Sequence, residues 1–339
     1  RITKYVYIRG KYGNTCIDLE PRRMVEINSI LENDNGAARE FTHDEWIKYY
    51  GTYGAYNLPF DTIEKLTEIF NEILSDINSL ENKLHIDKTI LACPDSKSEI
   101  KKTIVKLRTK RVSLQNLEIK FDYNNDLSKI DEAIEALSNI RNLELKPSIA
   151  LEKWTNIALN IINDSLLIKP NSIVGDDNEP TFTAPAGVPD IECYYDNFNA
   201  TCEVTMLSSR DQWYNEGQPV MRHLRDFELS NNSKDCYCLF IAPSLHRDTI
   251  NTYYQSVKYE YEGTKQKIIP ITIRQLIEIL KIVANVKRAN IEFKHTYIKQ
   301  LYDNVLEAIS DATSTTWIEE KIPAVIIQWE NNMNALSVA

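Results

Sequence analysis

The stretch that decides the reading is PAGVPDIECYYDNFNATCEVTML, from Pro185 to Leu207. Two short alternating runs, IECYYD and ATCEVTML, flank the turn-forming residues DNFN, so the segment reads as a β-hairpin. Successive side chains of a strand point to opposite faces. With a two-residue turn at Asn197-Phe198, or a four-residue loop from Asp196 to Asn199, Glu192 falls opposite Glu203 and Asp190 opposite Thr205. These four residues then share one face of the ribbon. Ile191, Cys193, Cys202, Val204 and Met206 line the other, the core side. Carboxylates opposed across a ribbon repel one another, and one pKa rises unless a cation compensates. A hard divalent ion such as Mg²⁺ takes one or two carboxylates, a backbone carbonyl and water. A solvated acidic face is the competing reading.

The surrounding pattern places this hairpin in an α/β layer. Helical DLSKIDEAIEALSNI and PSIALEKWTNIALNIIN lead into a loop, KPNSIVGDDNEPTFTAPAGVP. After the hairpin come a helix over GQPVMRHLRDFEL, a strand CYCLFIAP, a helix TINTYYQSVKYEY, a strand KIIPITI and a helix RQLIEILKIVANV. Strands alternating with helices build a parallel or mixed sheet flanked by helices.

Upstream, the texture is helical. FDTIEKLTEIFNEILSDINSLENKL repeats apolar residues from Ile63 to Leu84 at helical spacing, with Asp61 where an N-cap would sit. KSEIKKTIVKLRTKR carries seven basic residues, Lys97 to Arg111, against the single acid Glu99. On a helix these charges spread around the surface, as a solvated face or a phosphate-facing one. The expected organisation is an end of an upstream region over 1–40, a helical linker over 41–125 and an α/β domain over 126–339.

Composition sets the outer limits. The chain has 339 residues, of which 43% are hydrophobic and 26% charged, values of a globular protein with room for more than one core. No apolar run of about 18 residues is present, so no membrane contact and a cytoplasmic location are expected. A net charge of −10 argues against nonspecific coating of nucleic acid, but a local basic surface remains compatible with it. Six cysteines without a CxxC pair read as reduced thiols rather than a disulfide scaffold or a zinc site.

Pro189-Asp190, twelve intervening residues and Glu203-Val204-Thr205 resemble the PD-(D/E)xK nuclease signature. The wider stretches IDLEPRR, GVPDIE, CEVTMLSSRDQWYNEGQPVMRHL and CLFIAP resemble the AlwI family of type IIS restriction endonucleases. Within it they are most similar to the BstNBI-type nicking enzymes. The resemblance extends over essentially the whole chain but matches only the C-terminal part of such an enzyme, with the DNA-recognition region lying mostly before Arg1.

That resemblance implies a PD-(D/E)xK fold, double-stranded DNA as substrate and a bacterial source. It also implies one or two Mg²⁺ ions, with Mn²⁺ able to substitute. Asp190 and Glu203 match the two metal-binding carboxylates, the Val204 carbonyl a further ligand, and Glu152 in ALEKW the acid beside the metal. Thr205 stands where the wider signature has lysine, and Glu216 in YNEGQP matches the acid this group carries near the start of its next helix. His223 lies seven residues after Glu216 and reads as a core or capping histidine. One such centre cuts one strand, so double-strand cleavage implies a second catalytic subunit. The expected products are a 5′-phosphate and a 3′-hydroxyl. The missing lysine leaves an alternative, a nuclease fold serving only as a DNA-binding or assembly module.

Overall fold

The computed structural model describes residues 6–9, 16–19, 21–32, 42–45, 47, 60–162, 167–174 and 180–336. Most of the 1–59 stretch, on which the expected end of an upstream region falls, lies outside the described residues. The described chain divides into two compact units, one lying mainly within Gly13–Phe121 and the other comprising Asp122–Ile173 and Phe182–Ala339.

The first unit holds β1 (Val6–Arg9) paired antiparallel with β2 (Cys16–Leu19), then α1 (Met24–Leu31), α2 (Ile63–Lys83) and α3 (Lys97–Asn125). Leu66, Ile69, Phe70, Ile73 and Ile77 recur every three or four residues along α2, and the stripe packs against Ile100, Ile104, Leu107 and Leu114 of α3. The N-cap of α2 is Thr62, not the expected Asp61: its extended backbone aims its hydroxyl at the Lys65 N–H, 3.3 Å away. Asp61, one residue too early to cap, pairs instead with Lys97 at 3.2 Å and Lys101 at 2.5 Å. The basic run of α3 is not a free cationic face either. Arg108 reaches Glu26 at 2.7 Å, Lys110 reaches Glu81 at 2.7 Å, and the buried Arg111 reaches Asp76 at 2.8 Å. Lys102 and Lys106 remain exposed.

The second unit opens with α4 (Ser128–Ser138) and α5 (Pro147–Ile161), followed by β3 (Leu167–Pro170). The stretch between its two parts carries two short paired strands, β4 (Ile173–Val174) and β5 (Pro180–Phe182). Next come β6 (Ile191–Tyr194), β7 (Phe198–Val204), α6 (Arg210–Ser230), β8 (Asp235–Ala242), α7 (Arg247–Lys258), β9 (Ile268–Thr272) and α8 (Ile273–Arg288). Helices α9 (His295–Glu307) and α10 (Ile322–Leu336) close the unit, with a π-helical turn at Trp317–Lys321 between them. Trp317 and Trp329 are fully buried, and their indole N–H groups donate to the Val305 and Tyr297 carbonyls.

The main sheet has the order β3-β6-β7-β8-β9. Its first two pairings are antiparallel and its last two parallel, the expected mixed sheet. Strand β8 is buried from Cys236 to Ala242, on both faces, because helices cover the parallel half. Cys193, Cys202, Cys236 and Cys238 lie buried in this sheet as free thiols. Among the described residues, no helix is long and apolar enough to cross a membrane.

Three sequence expectations shift here. The hairpin turns one residue early, at Asp196-Asn197, with the Tyr195 N–H donating to the Phe198 carbonyl at 3.1 Å. Phe198 is buried and stacks on Tyr195 with ring centroids 4.3 Å apart, so it belongs to the strand rather than the turn. The pairing slips by two: Ile191 faces Cys202 and Glu192 faces Thr201. Parity is kept, so the face assignment survives while every opposed pair changes. Second, the following helix starts at Arg210 behind an extended Ser209, seven residues before the expected GQPV start. Pro219 lies inside it. Third, part of the presumed loop is β3, an edge strand hydrogen-bonded to β6.

Candidate active site

The slipped register makes the site. Ile191 opposite Cys202 puts Asp190, just before β6, across from Glu203 near the carboxyl end of β7. A backbone-to-side-chain hydrogen bond ties the two strands at this point: the Val204 N–H donates to Asp190 Oδ2 at 2.8 Å. Asn171, directly after β3, holds the position of Asp190: its N–H donates to the Asp190 carbonyl at 2.8 Å and its Nδ2 to the Pro189 carbonyl at 2.9 Å.

Two more acids converge on this pair. Glu152 is buried on α5, and its Oε2 accepts from the Ala184 N–H at 3.2 Å. Glu216 sits in the second turn of α6 rather than near its start, where burial raises its carboxyl pKa and the Thr205 hydroxyl acts against that. Thr205, which stands where the wider signature has a lysine, is buried, and its hydroxyl accepts from the Leu207 N–H at 3.2 Å. Glu192, expected on the same face, leaves the cluster. It is held by Lys169 Nζ at 3.0 Å, Asn171 Nδ2 at 2.9 Å and the Tyr194 hydroxyl at 2.5 Å.

Burial and mutual repulsion dominate the electrostatics. Burial, with the Asp190 charge adding to it, pushes the Glu152 carboxyl up to about 9. Burial and then Glu203 push Asp190 up to about 8. Glu203 is driven well above the carboxylate range by burial and by Glu216, and Glu216 is itself raised by burial. His223, one helix face along from Glu216, places Nδ1 2.9 Å from Glu203 Oε1. This contact corrects the reading of His223 as a core or capping residue. Its seven-residue spacing from Glu216 was the available signal, but only the packing of α6 on β7 says what that face meets. Burial lowers the imidazole's pKa, which favours the neutral ring.

A family model described as AlwI restriction endonuclease matches residues 1–279. The chain belongs to this family. No curated protein matches it. Among solved structures, it is similar to the small subunit, R.BspD6I2, of the heterodimeric restriction endonuclease R.BspD6I. The identity is 18% and the TM-score 0.47, with 61% of this chain and 98% of that chain covered. The AlwI-family chain is accordingly a DNA endonuclease, with DNA as its substrate.

Restriction endonucleases generally work with divalent metal ions. Among the described residues, no three His, Cys, Asp or Glu side chains stand as a ready-made metal cage. The donor set nevertheless suits a hard cation: several buried carboxylates raise one another's pKa, and among the described residues no Lys or Arg forms an ion pair with any of the four. In this AlwI-family chain Asp190, Glu203, Glu216 and Glu152 are brought together, and Glu192 is kept out.

Proposed function

We propose that this chain is the cleavage part of a type IIS or nicking restriction enzyme, with a PD-(D/E)xK-type centre that hydrolyses one DNA strand per site in a Mg²⁺-dependent reaction. The observation that carries the reading is the cross-strand pair Asp190–Glu203, buried, locked by the Val204 N–H and joined by two further acids. Asp190, Glu203 and the Val204 carbonyl would hold the ion, and Glu152 and Glu216 would complete the site or hold a second one. A divalent cation bound there supplies positive charge against the phosphoryl oxygens and the charge developing on the leaving oxygen. Mn²⁺ would substitute for it.

The chain's own residues then do the positioning. Asn171 and the Val204 N–H fix the Asp190 backbone and carboxylate, so that orienting them costs nothing when the phosphate arrives. Neutral His223 at Glu203 and the half-buried Glu216 are the groups able to hold or move a proton beside the attacked phosphorus. The products would be a 5′-phosphate and a 3′-hydroxyl, and one centre per chain means that a double-strand cut needs a second catalytic subunit. The helical unit before Asp122 would link this domain to a recognition region.

The test is nicking of supercoiled plasmid with Mg²⁺, comparing the parent chain, its Glu203→Ala variant and an EDTA control. Open-circular product from the parent alone is expected, without linear product. Equal nicking by the variant would remove the chemistry from this hairpin. An inactive parent that still binds DNA would favour the binding-module alternative.

A further inference from the structure

Each of the three helices that follow a parallel strand opens with an exposed arginine. Arg210 is the first residue of α6, Arg247 the first of α7 and Arg274 the second of α8. The Arg247 and Arg274 side chains are 90% and 87% exposed. Strands β7, β8 and β9 are neighbours in the sheet, so their carboxyl ends, where these helices begin, lie side by side. Glu203 and Asp190 occupy the same edge, at the β7 end of the row.

A cation in the first turn faces the positive end of the helix dipole, which disfavours it. Three such placements in a row therefore lack a stabilising explanation within the fold. Neighbouring acids compensate only loosely: Arg247 Nε lies 3.8 Å from Asp248, and Arg274 Nε lies 3.4 Å from Glu278. The chain carries −10 overall, so a row of cations is a local exception.

Between the first turns of α6 and α7 lies a cleft of about 590 Å³, walled by Arg210, Trp213, His246, Arg247, Asn251 and Thr252, with Asp248 also in its wall. Its two sides are tied together from below. The fully buried Gln212 donates to the Leu207 carbonyl at 2.7 Å and the Ser244 carbonyl at 2.8 Å, and its Oε1 accepts from the His246 N–H at 2.8 Å. Trp213 Nε1 donates to the Thr252 hydroxyl at 3.1 Å. A single side chain thus joins the β7–α6 loop to the β8–α7 loop, so the backbone positions that carry the two arginines are held at a set spacing before any ligand arrives.

We propose that this arginine-lined edge, with the α6–α7 cleft at its centre, is the track for the phosphate backbone of duplex DNA leading away from the scissile phosphate. Spaced arginines suit a polyanion with a regular charge repeat, and their forked guanidinium groups match phosphate oxygens. The inference rests on the reading of the acid cluster as the cleavage site, since that places the DNA at this edge.

The test measures anisotropy of a fluorescein-labelled duplex without divalent ions, as a function of salt. It compares the parent, the Arg210→Gln/Arg247→Gln/Arg274→Gln variant and Lys281→Gln, with thermal melting confirming that the exposed substitutions leave the fold intact. Each phosphate that is no longer neutralised lowers the slope of log affinity against log salt by about 0.9, so the triple variant should lose about two to three units of slope. The Lys281→Gln slope should equal the parent's, because this exposed lysine lies beyond the first turn of α8. A triple variant with the parent's slope and affinity overturns the track, and so does a parent that fails to bind duplex even at low salt. Neither result decides the hydrolytic reading, which stands or falls on parental nicking of plasmid.

Discussion

Both units bury carboxylates, but they treat them in opposite ways. In the helical unit each buried acid meets a cation of the same unit: Glu26 meets Arg23 and Arg108, and Glu81 meets Lys110 together with the Thr89 hydroxyl and N–H. Burial opposes ionisation of Glu81, yet Lys110 and Thr89 hold its pKa below the usual value. Burial, with Asp76 and Glu26 adding to it, raises Glu72, but Arg111 and Arg108 pull against that. In the sheet unit Glu152, Asp190, Glu203 and Glu216 face one another, and all four pKa values are raised. A cation beside a buried acid offsets its desolvation, whereas clustered acids oppose folding unless a cation is supplied from outside. Under the proposed function, this contrast separates the structural carboxylates from those of the cleavage site.

The sharpest way to break this contrast is to neutralise one acid of each kind. Asp190→Asn or Glu203→Gln should lower plasmid nicking by at least about 10²–10³-fold while leaving the metal-free protein as stable as the parent or more so. Glu81→Gln should do the reverse, costing about 1–3 kcal/mol of stability with nicking unchanged. Loss of stability in the first pair would put those acids in the structural class.

Cation binding should come next in size. Mg²⁺ at a hundred times its Kd would stabilise the sheet unit by about 2.7 kcal/mol, read as a rise in its melting temperature over an EDTA control. Asp190→Asn should abolish that rise, and a rise that persists in the variant would move the ion elsewhere.

The dependence on pH should have opposite signs in the two units. Asp190 and Glu152 titrate at about 8 and about 9 when folded and near the ordinary carboxylate range, about 4, when unfolded. Between those limits the folded state binds more protons, so metal-free stability of the sheet unit falls as pH rises from about 5 to about 9. Glu81, lowered, contributes stability that is present above its unfolded pKa and lost as acid protonates the folded carboxylate. Denaturant midpoints in EDTA, measured from pH 4 to 9, check both slopes.

Smaller effects are expected from the supporting residues. His223→Gln, acting through Glu203, should reduce nicking by about 10–100-fold, with duplex binding intact. Thr205→Val removes the hydroxyl that accepts from the Leu207 N–H and should cost about 1 kcal/mol, less than a tenfold loss in rate.

Much of this was legible locally. The alternation of IECYYD and ATCEVTML assigns the strands and the acid-bearing face, because parity depends only on neighbouring residues. Helical spacing assigns α2, α4, α5, α7 and α8, and the alternation of strands with helices gives the mixed layer. The quoted stretches from IDLEPRR to CLFIAP placed the chain in its family. What local pattern could not supply was register and partnership. Whether Glu203 faces Glu192 or Asp190 depends on Phe198 stacking on Tyr195 and entering the core, a tertiary contact that moves the turn by one residue. Whether His223 is a packing residue or a neighbour of Glu203 depends on how α6 lies on β7. The basic run of α3 looked like a surface until Glu26, Asp76 and Glu81 took its arginines and a lysine. The sequence by itself determined which acids exist and which way they face. The tertiary structure alone decided which are left without a cation, because burial and charge pairing are properties of residues distant in the chain.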